Sequence, residues 1–330
     1  MSFADLLQRQ APHRPPVWFL RQVGRYMPQY HELKGSQPLK SFFHNPEAII
    51  EATLLGPELL HVDAAILFAD ILSILDGFCL SYDFSPGPKI EFSPTQPLLF
   101  TPEPEETFRY LTEAISTLTS RLSVPLLGFA ASPFTLASYL LDGGASKDFS
   151  KTMAFLYRYP EKFQELLDTL INSTAIYLEL QVRAGASAVQ LFESSSLRLP
   201  SALFSQYVTE PNKALIAKLK EKQIPVSLFC RCFEENFSKL LDTQADTLHP
   251  DYHIDLARFA KVAPKGLSFQ GNFDPALFLL PEPLLETYLE TFLESLRFLP
   301  NYIFNSGHGI LPETPLENVQ HVIAYVQHRF

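Results

Sequence analysis

Residues 17–28 read Val17-Trp18-Phe19-Leu20-Arg21-Gln22-Val23-Gly24-Arg25-Tyr26-Met27-Pro28, and the reading of the chain turns on them. Four apolar residues in a row form a short buried strand. The run ends abruptly in Arg21; Gly24 then lets the backbone turn freely, and Pro28 marks a loop. Two guanidiniums four residues apart, on a loop leaving a strand, form a clamp for carboxylate or phosphate. Taken alone, such a pair is more often two solvated arginines. The choice depends on what the rest of the chain builds around this loop.

More apolar runs of strand length follow. Together with 17–20 they are 64–68, 125–129, 188–192, 225–229, a weaker one near 246–248, 267–270 and 302–305, eight in all. Amphipathic segments lie between them. In 105–122, Phe108, Leu111, Ile115, Leu118 and Leu122 share one helical face, and in 314–328 Val319, Val322, Ile323 and Val326 do the same. Thr314, Pro315 and Glu317 give the last helix a capping box with proline at its first position. Alternating strand and helix implies a parallel sheet, and eight repeats predict a single α/β domain over 1–330, a closed (β/α)8 barrel. The alternative is an open doubly wound sheet, but no G-x-G-x-x-G follows any of the runs. After the second run, 80–84 and 89–92 read as an inserted hairpin turning through Ser85-Pro86-Gly87-Pro88.

A length of 330 residues suggests about two domains, a rule that α/β barrels break. A hydrophobic content of 46% is enough for a large core. The net charge of −10 argues against general nucleic-acid binding, so an anion site here has to concentrate arginine locally. Cys79, Cys230 and Cys232 are no disulfide framework, and the reduced cytoplasm is the expected compartment. The first residues show neither a long apolar core nor a cleavage site, so no signal peptide is expected. The most apolar stretch, 64–75, is interrupted by Asp70 and too short to span a bilayer, so no membrane partner is expected.

Barrel active sites collect at the C-terminal ends of strands. Here those ends carry Arg21, Asp70, Ser132-Pro133, Glu193-Ser194, Cys230-Arg231-Cys232, Gln270-Gly271-Asn272 and Asn305-Ser306-Gly307-His308. Asp70 sits inside AAILFADILSIL, where burying a carboxylate without partners is costly. It is either a helix N-cap or a carboxylate in an apolar cleft facing a cation or N–H donors. Ser132 and Pro133 open a helix that closes at Gly143-Gly144 and carries Tyr139, which alone reads as core. His308 stands between two glycines, either as a structural hydrogen-bonder or where the backbone approaches a ligand. Ser194, in a run of serines, is by itself an ordinary loop residue. Cys230-x-Cys232 is only half a zinc site, so packed thiols and no metal are expected.

Several segments resemble the uroporphyrinogen decarboxylase family: PVWFLRQVGRYMPQY, ILFADILSILDGF, GFAASPFTLASYLLDGG with Ser146-Lys147, VQLFES, QGNFDP and FNSGHGILPETPLENV. They run through nearly the whole chain in the family's order. The resemblance implies one (β/α)8 barrel that works as a homodimer without metal or organic cofactor. It implies that Arg21 and Arg25 bind substrate carboxylates, with Gln22, Val23 and Gly24 as loop wall. It places Asp70 at the cleft centre against pyrrole N–H groups, Tyr139 beside it, Ser194 at a small hydroxyl position, and His308 on a substrate carboxylate. Asp70, Arg21 and Tyr139 would carry catalysis. The implied reaction removes the four acetate carboxyls of uroporphyrinogen III to give coproporphyrinogen III for haem synthesis. Three segments depart from the family pattern: Cys230-Arg231-Cys232-Phe233 replaces a glycine-rich loop, Ser194-Ser195-Ser196 a segment usually containing glycine, and His249-Pro250-Asp251-Tyr252 the usual Leu-Asp-Trp. Competing readings are a zinc-dependent methyltransferase on the same fold, moving a methyl group between a corrinoid and a thiol, and a non-catalytic porphyrin-binding protein.

Overall fold

The computed structural model describes residues 1–84, 87–264 and 266–329. Strands β1 (Ala65–Ile66), β4 (Leu126–Ala131), β5 (Ala188–Glu193), β6 (Val226–Cys230), β7 (Thr247–Pro250), β8 (Ser268–Gln270) and β9 (Tyr302–Ile303) form one sheet. They lie in chain order and pair in parallel throughout, with Glu193 of β5 opposite Cys230 of β6. Helices such as Pro133–Asp142, Pro160–Ala184 and Glu210–Glu221 fill the crossovers. Every residue of β4, β6 and β7 is buried, as a parallel sheet covered on both faces requires. Strands β2 (Tyr82–Asp83) and β3 (Lys89–Ile90) pair antiparallel outside this sheet. Of the turn expected between them, Ser85 and Pro86 lie outside the described residues. Among the described residues no helix is long and apolar enough to cross a membrane.

Seven of the eight expected runs are strands; 17–20 is not. Only Val17 bridges to Phe304, just past β9. The backbone ladder there is only two bonds long: Phe304 N–H donates to the Pro16 carbonyl at 2.8 Å and Trp18 N–H to the Phe304 carbonyl at 3.3 Å. Pro15 and Pro16 have no N–H to extend the ladder backwards. Forwards, side chains take over. Leu20 N–H donates to Asn305 Oδ1 at 3.1 Å. Towards β1, Asp63 N–H donates to the Val17 carbonyl at 2.8 Å. The Gln22 amide then donates to the Ala64 carbonyl at 2.6 Å and accepts from Ile66 N–H at 3.3 Å. Asp63 accepts from Val17 N–H at 2.7 Å and from both terminal nitrogens of Arg14, at 2.7 and 2.8 Å. The first segment is held by side-chain amides and a carboxylate where a strand would use backbone.

Two helix expectations also change. The 105–122 pattern breaks into Pro104–Thr107 and Arg109–Arg121 at Phe108, whose ring is fully buried against Tyr177. The last helix is Leu316–Arg329, and the Thr314 hydroxyl is buried without a partner, so the expected capping box does not form. Thr314 N–H is instead drawn back to the Leu311 carbonyl at 3.1 Å, which leaves Pro315 ahead of the helix.

Between the strands lies a buried polar chain. Trp18 Nε1–H donates to Gln270 Oε1 at 2.9 Å. Gln270 Nε2 donates to Gln190 Oε1 at 3.2 Å and to His249 Nδ1 at 2.7 Å. That fixes the His249 proton on Nε2, which donates to the Ser306 carbonyl at 3.0 Å. Burial pushes the His249 imidazole down to about 3, so this histidine is neutral.

Replacing Gln22 by alanine strips partners from the Ala64 carbonyl and the Ile66 N–H, both buried. We expect Gln22→Ala to lose about 2–6 kcal/mol in denaturant unfolding, from an unmade-bond cost of about 1–3 kcal/mol for each of the two groups. A loss within error of zero would mean water replaces the amide and the first segment is held elsewhere.

Candidate active site

A cleft of about 1040 Å³ opens beside the C-terminal ends of the strands. All nine sequence-predicted residues line it: Arg21, Gln22, Val23, Gly24, Arg25, Asp70, Tyr139, Ser194 and His308. Its floor is phenylalanine, with Phe129, Phe192 and Phe229 in a row of ring contacts at 5.6 and 6.0 Å.

The Arg21–Arg25 loop is rigidly built. Met27 N–H donates to the Gly24 carbonyl at 3.0 Å, Tyr26 hydroxyl donates to the Gln22 carbonyl, and His31 Nε2 donates to the Arg25 carbonyl at 2.9 Å. Both guanidiniums remain exposed in the cleft mouth. Gly24 does not use a left-handed backbone; a built Cβ there would stand 3.4 Å from Arg21 Cδ, whose stem lies along it. Gln22 lines the cleft and its side-chain amide also faces inward as a brace to β1.

Asp70 is half-buried at the end of the run after β1. Its Oδ1 accepts from Leu72 N–H at 2.9 Å, two residues on, ahead of the short 3-10 helix Ser73–Phe78. The carboxylate is thus a local turn cap and a cleft residue together. Burial pushes it above its ordinary value, while the Leu72 amide and the Arg21 charge act to lower it. Tyr139, half-buried on the helix Pro133–Asp142, has its phenol pushed up by burial and then by the Asp70 charge, so it is a neutral O–H donor at pH 7. Ser132 stands at that helix's N-cap with Pro133 behind it, but its hydroxyl makes no cap bond. Gly143 at φ 76° ends the helix as expected.

Ser194 is placed by the residues around it. Its N–H donates to Thr135 Oγ1 at 2.9 Å, and that hydroxyl donates to Glu193 Oε1 at 2.6 Å. Glu193 is fully buried, which pushes its carboxyl up to about 7. His308 is open to the cleft on one side. Burial of the rest, then the charges of Arg231 and Arg21, push it down to about 4, so it is neutral at pH 7. Gly307 before it serves another purpose than ligand approach: a Cβ there would lie 2.4 Å from Tyr252 N.

Lys147, Arg198 and Arg231 also line the cleft. Arg231 was visible as a strand-end residue; Arg198 was not, because the 3-10 turn Ser196–Arg198 carries it back over β5. Cys230 and Cys232 are buried, and the Cys230 thiol, pushed well up by burial, touches Ser196 Oγ at 3.5 Å. Among the described residues no potential metal-holding group includes either thiol.

Comparison with known proteins places this geometry. The family profile described as uroporphyrinogen decarboxylase (URO-D) matches residues 1–329. A uroporphyrinogen decarboxylase of Chlamydia pneumoniae is 71% identical over 326 residues, 99% of this chain and 98% of the relative. One from Chlamydia caviae is 68% identical over 320 residues, 97% and 96% of the two chains. Among solved structures, a methyltransferase from Methanosarcina mazei superposes with a TM-score of 0.81 at 19% identity, covering 98% of this chain and 96% of its own, a likeness of fold.

His308 should titrate near pH 4. An NMR titration of labelled imidazole checks this. A midpoint close to the ordinary 6.5 would mean that neither burial nor the neighbouring guanidiniums reach the ring.

Proposed function

Because this chain belongs to the uroporphyrinogen decarboxylase family, we propose that its cleft takes uroporphyrinogen III and removes carbon dioxide from the four acetate side chains, giving coproporphyrinogen III. The observation that supports this most is the company Asp70 keeps: one carboxylate over a phenylalanine floor, with arginines at the mouth of the same cleft. A tetrapyrrole has the matching form, with an apolar ring, N–H groups at its centre and carboxylates on its rim.

Carbon dioxide leaves an acetate only when the electron pair left behind is accepted. Protonation of the pyrrole carbon next to the acetate makes a cation that accepts it, so the substrate is its own electron sink. The exocyclic methylene so formed takes a proton to become methyl, and the ring carbon gives its proton back. Asp70, ionised and facing the N–H groups, favours the cation over the neutral ring, which is stabilisation specific to the transition state. Tyr139 supports Asp70 as a neutral donor. Arg21 and Arg25 bind carboxylates and orient the ring. A guanidinium holds its own proton too tightly to be the acid, so Arg21 orders the water that delivers it. His308, neutral, donates one N–H to a carboxylate, and Ser194 offers its hydroxyl from the β5 wall.

The finer architecture belongs to the same reading. Val17 has links to Phe304 beyond β9 and to Asp63 before β1, which supports a closed (β/α)8 barrel of one domain, with the β2–β3 hairpin inserted after β1. The family resemblance supports a cytoplasmic homodimer that uses no cofactor. The methyltransferase alternative draws only on likeness of fold, and the two thiols it would need for zinc are packed into the core.

Asp70→Asn keeps the shape and removes the charge. In an anaerobic assay with uroporphyrinogen it should lower kcat on the order of 10²–10³-fold. In the wild type, kcat/KM should fall on the acid side before an ordinary aspartate would titrate, because the ionised form is the active one and burial has raised its pKa. Near-normal kcat in a folded Asp70→Asn variant would reduce Asp70 to a turn cap.

Exhaustive chelation should leave activity intact. Activity lost on chelation and restored by zinc would favour the methyltransferase reading.

A further inference from the structure

Two of the segments that depart from the family pattern each bring an arginine to one wall of the cleft. We propose that Arg198, after β5, and Arg231, after β6, form a second carboxylate clamp that grips rim carboxylates of the substrate in addition to the Arg21–Arg25 loop. The inference rests on the reading of the cleft as the uroporphyrinogen site.

The two loops are built as a unit. Strands β5 and β6 are hydrogen-bonded neighbours, and Arg231 N–H donates to the Glu193 carbonyl at 2.8 Å. The buried Ser196 hydroxyl, from the departing serine run itself, donates to the Arg231 carbonyl at 3.0 Å. The residues that replace the family's glycines therefore join the loops that carry the two guanidiniums.

Among the described residues neither guanidinium makes a close, two-pronged pair with a carboxylate. Among the described residues Arg198 makes no ion pair. The carboxylate nearest Arg231 is Asp251, 3.8 Å from its Nε and beyond hydrogen-bond distance, and Nε is buried without a partner. Asp251 is already engaged by the His253 N–H and ring, each at 3.1 Å. In a chain with a net charge of −10, one arginine with no ion pair among the described residues and a second held only by a long contact to Asp251 leave positive charge in the cleft for an arriving anion.

The ligand chemistry requires them. Uroporphyrinogen carries four acetates and four propionates around its rim, and a guanidinium fork serves one carboxylate well. The signature pair cannot satisfy such a periphery alone. Phe192 and Phe229, just ahead of the two loops on β5 and β6, give this wall an apolar base that excludes water and strengthens charge-assisted bonds.

The test compares wild type, Arg198→Ala, Arg231→Ala, the double variant and Arg231→Lys in anaerobic steady-state kinetics with uroporphyrinogen, alongside thermal unfolding. Each alanine variant should raise KM by about tenfold, as expected for loss of a charge-assisted contact, with kcat within about twofold and Tm unchanged. Arg231→Lys should recover part of the loss, since it keeps charge without the fork. KM within about twofold of wild type in the double variant would make both arginines solvated bystanders and overturn the clamp. Should Arg231→Ala fail to fold, Arg198→Ala and Arg231→Lys decide alone, and unchanged KM in both overturns it. If wild type releases no carbon dioxide, the decarboxylase reading falls and the clamp with it; an active wild type with unaffected variants removes the clamp only.

Discussion

A single side-chain amide does for the first segment what backbone does for the other seven. Gln22 donates to Ala64 and accepts from Ile66, the pair of bonds a neighbouring parallel strand would make to β1. Without it, two backbone groups in a dry interior go unpaired. Its own position is fixed from behind: a Cβ on Gly56 of the helix Pro46–Leu60 would stand 2.6 Å from Gln22 Oε1. Asn305 repeats the device on the β9 side, and Asp63 with Arg14 anchors the segment's start. Because the chain is pinned by side chains, its backbone is free to leave the sheet early. That early exit throws Arg21 and Arg25 across the cleft mouth.

The cleft selects which groups keep a charge. Asp70 and Tyr139 are pushed up and His308 is pushed down, each by burial first, so each is driven toward its neutral form. Guanidinium is the side chain that stays ionised under the same pressure. The positive charge available to an acidic ligand is therefore arginine's, with Lys147 beside it, while Asp70 is the carboxylate among the described lining residues, and burial opposes its ionisation. A carboxylate whose charge is poorly solvated gains more from a developing cation than a well-solvated one would.

Much of this was legible from the residues. Most of the seven runs became strands because each is a short, largely apolar stretch with a clear end, which is what a doubly covered parallel strand requires, while the weaker one near 246–248 is completed by His249 and Pro250. The eighth failed for a reason that periodicity does not encode: Val17–Leu20 looks like a strand, but its pairing goes through Asn305 and Gln22. Because strand ends collect along one side of the sheet, the residues expected there line one cleft. Gln22 braces β1 as well as lining the cleft, Gly24 opens its turn without a left-handed backbone, and Gly307 makes room for Tyr252. Thr314 carries a capping signature that a competing turn to Leu311 cancels. Gln190, His249 and Gln270 were invisible as a network, since each is one polar letter inside an apolar run and only the sheet's curvature brings them together.

The chain has one tryptophan, and it ends that network. Trp18 is fully buried in the segment that side chains and a few backbone bonds hold in place, and its indole N–H is tied to Gln270. The protein thus carries an intrinsic optical gauge at its seam. Emission from a dry, hydrogen-bonded indole lies to the blue, and it reddens and becomes open to quenchers when water enters. Light from this single residue reports whether the first segment is seated, and so whether the arginine loop is where it should be, without any label being added.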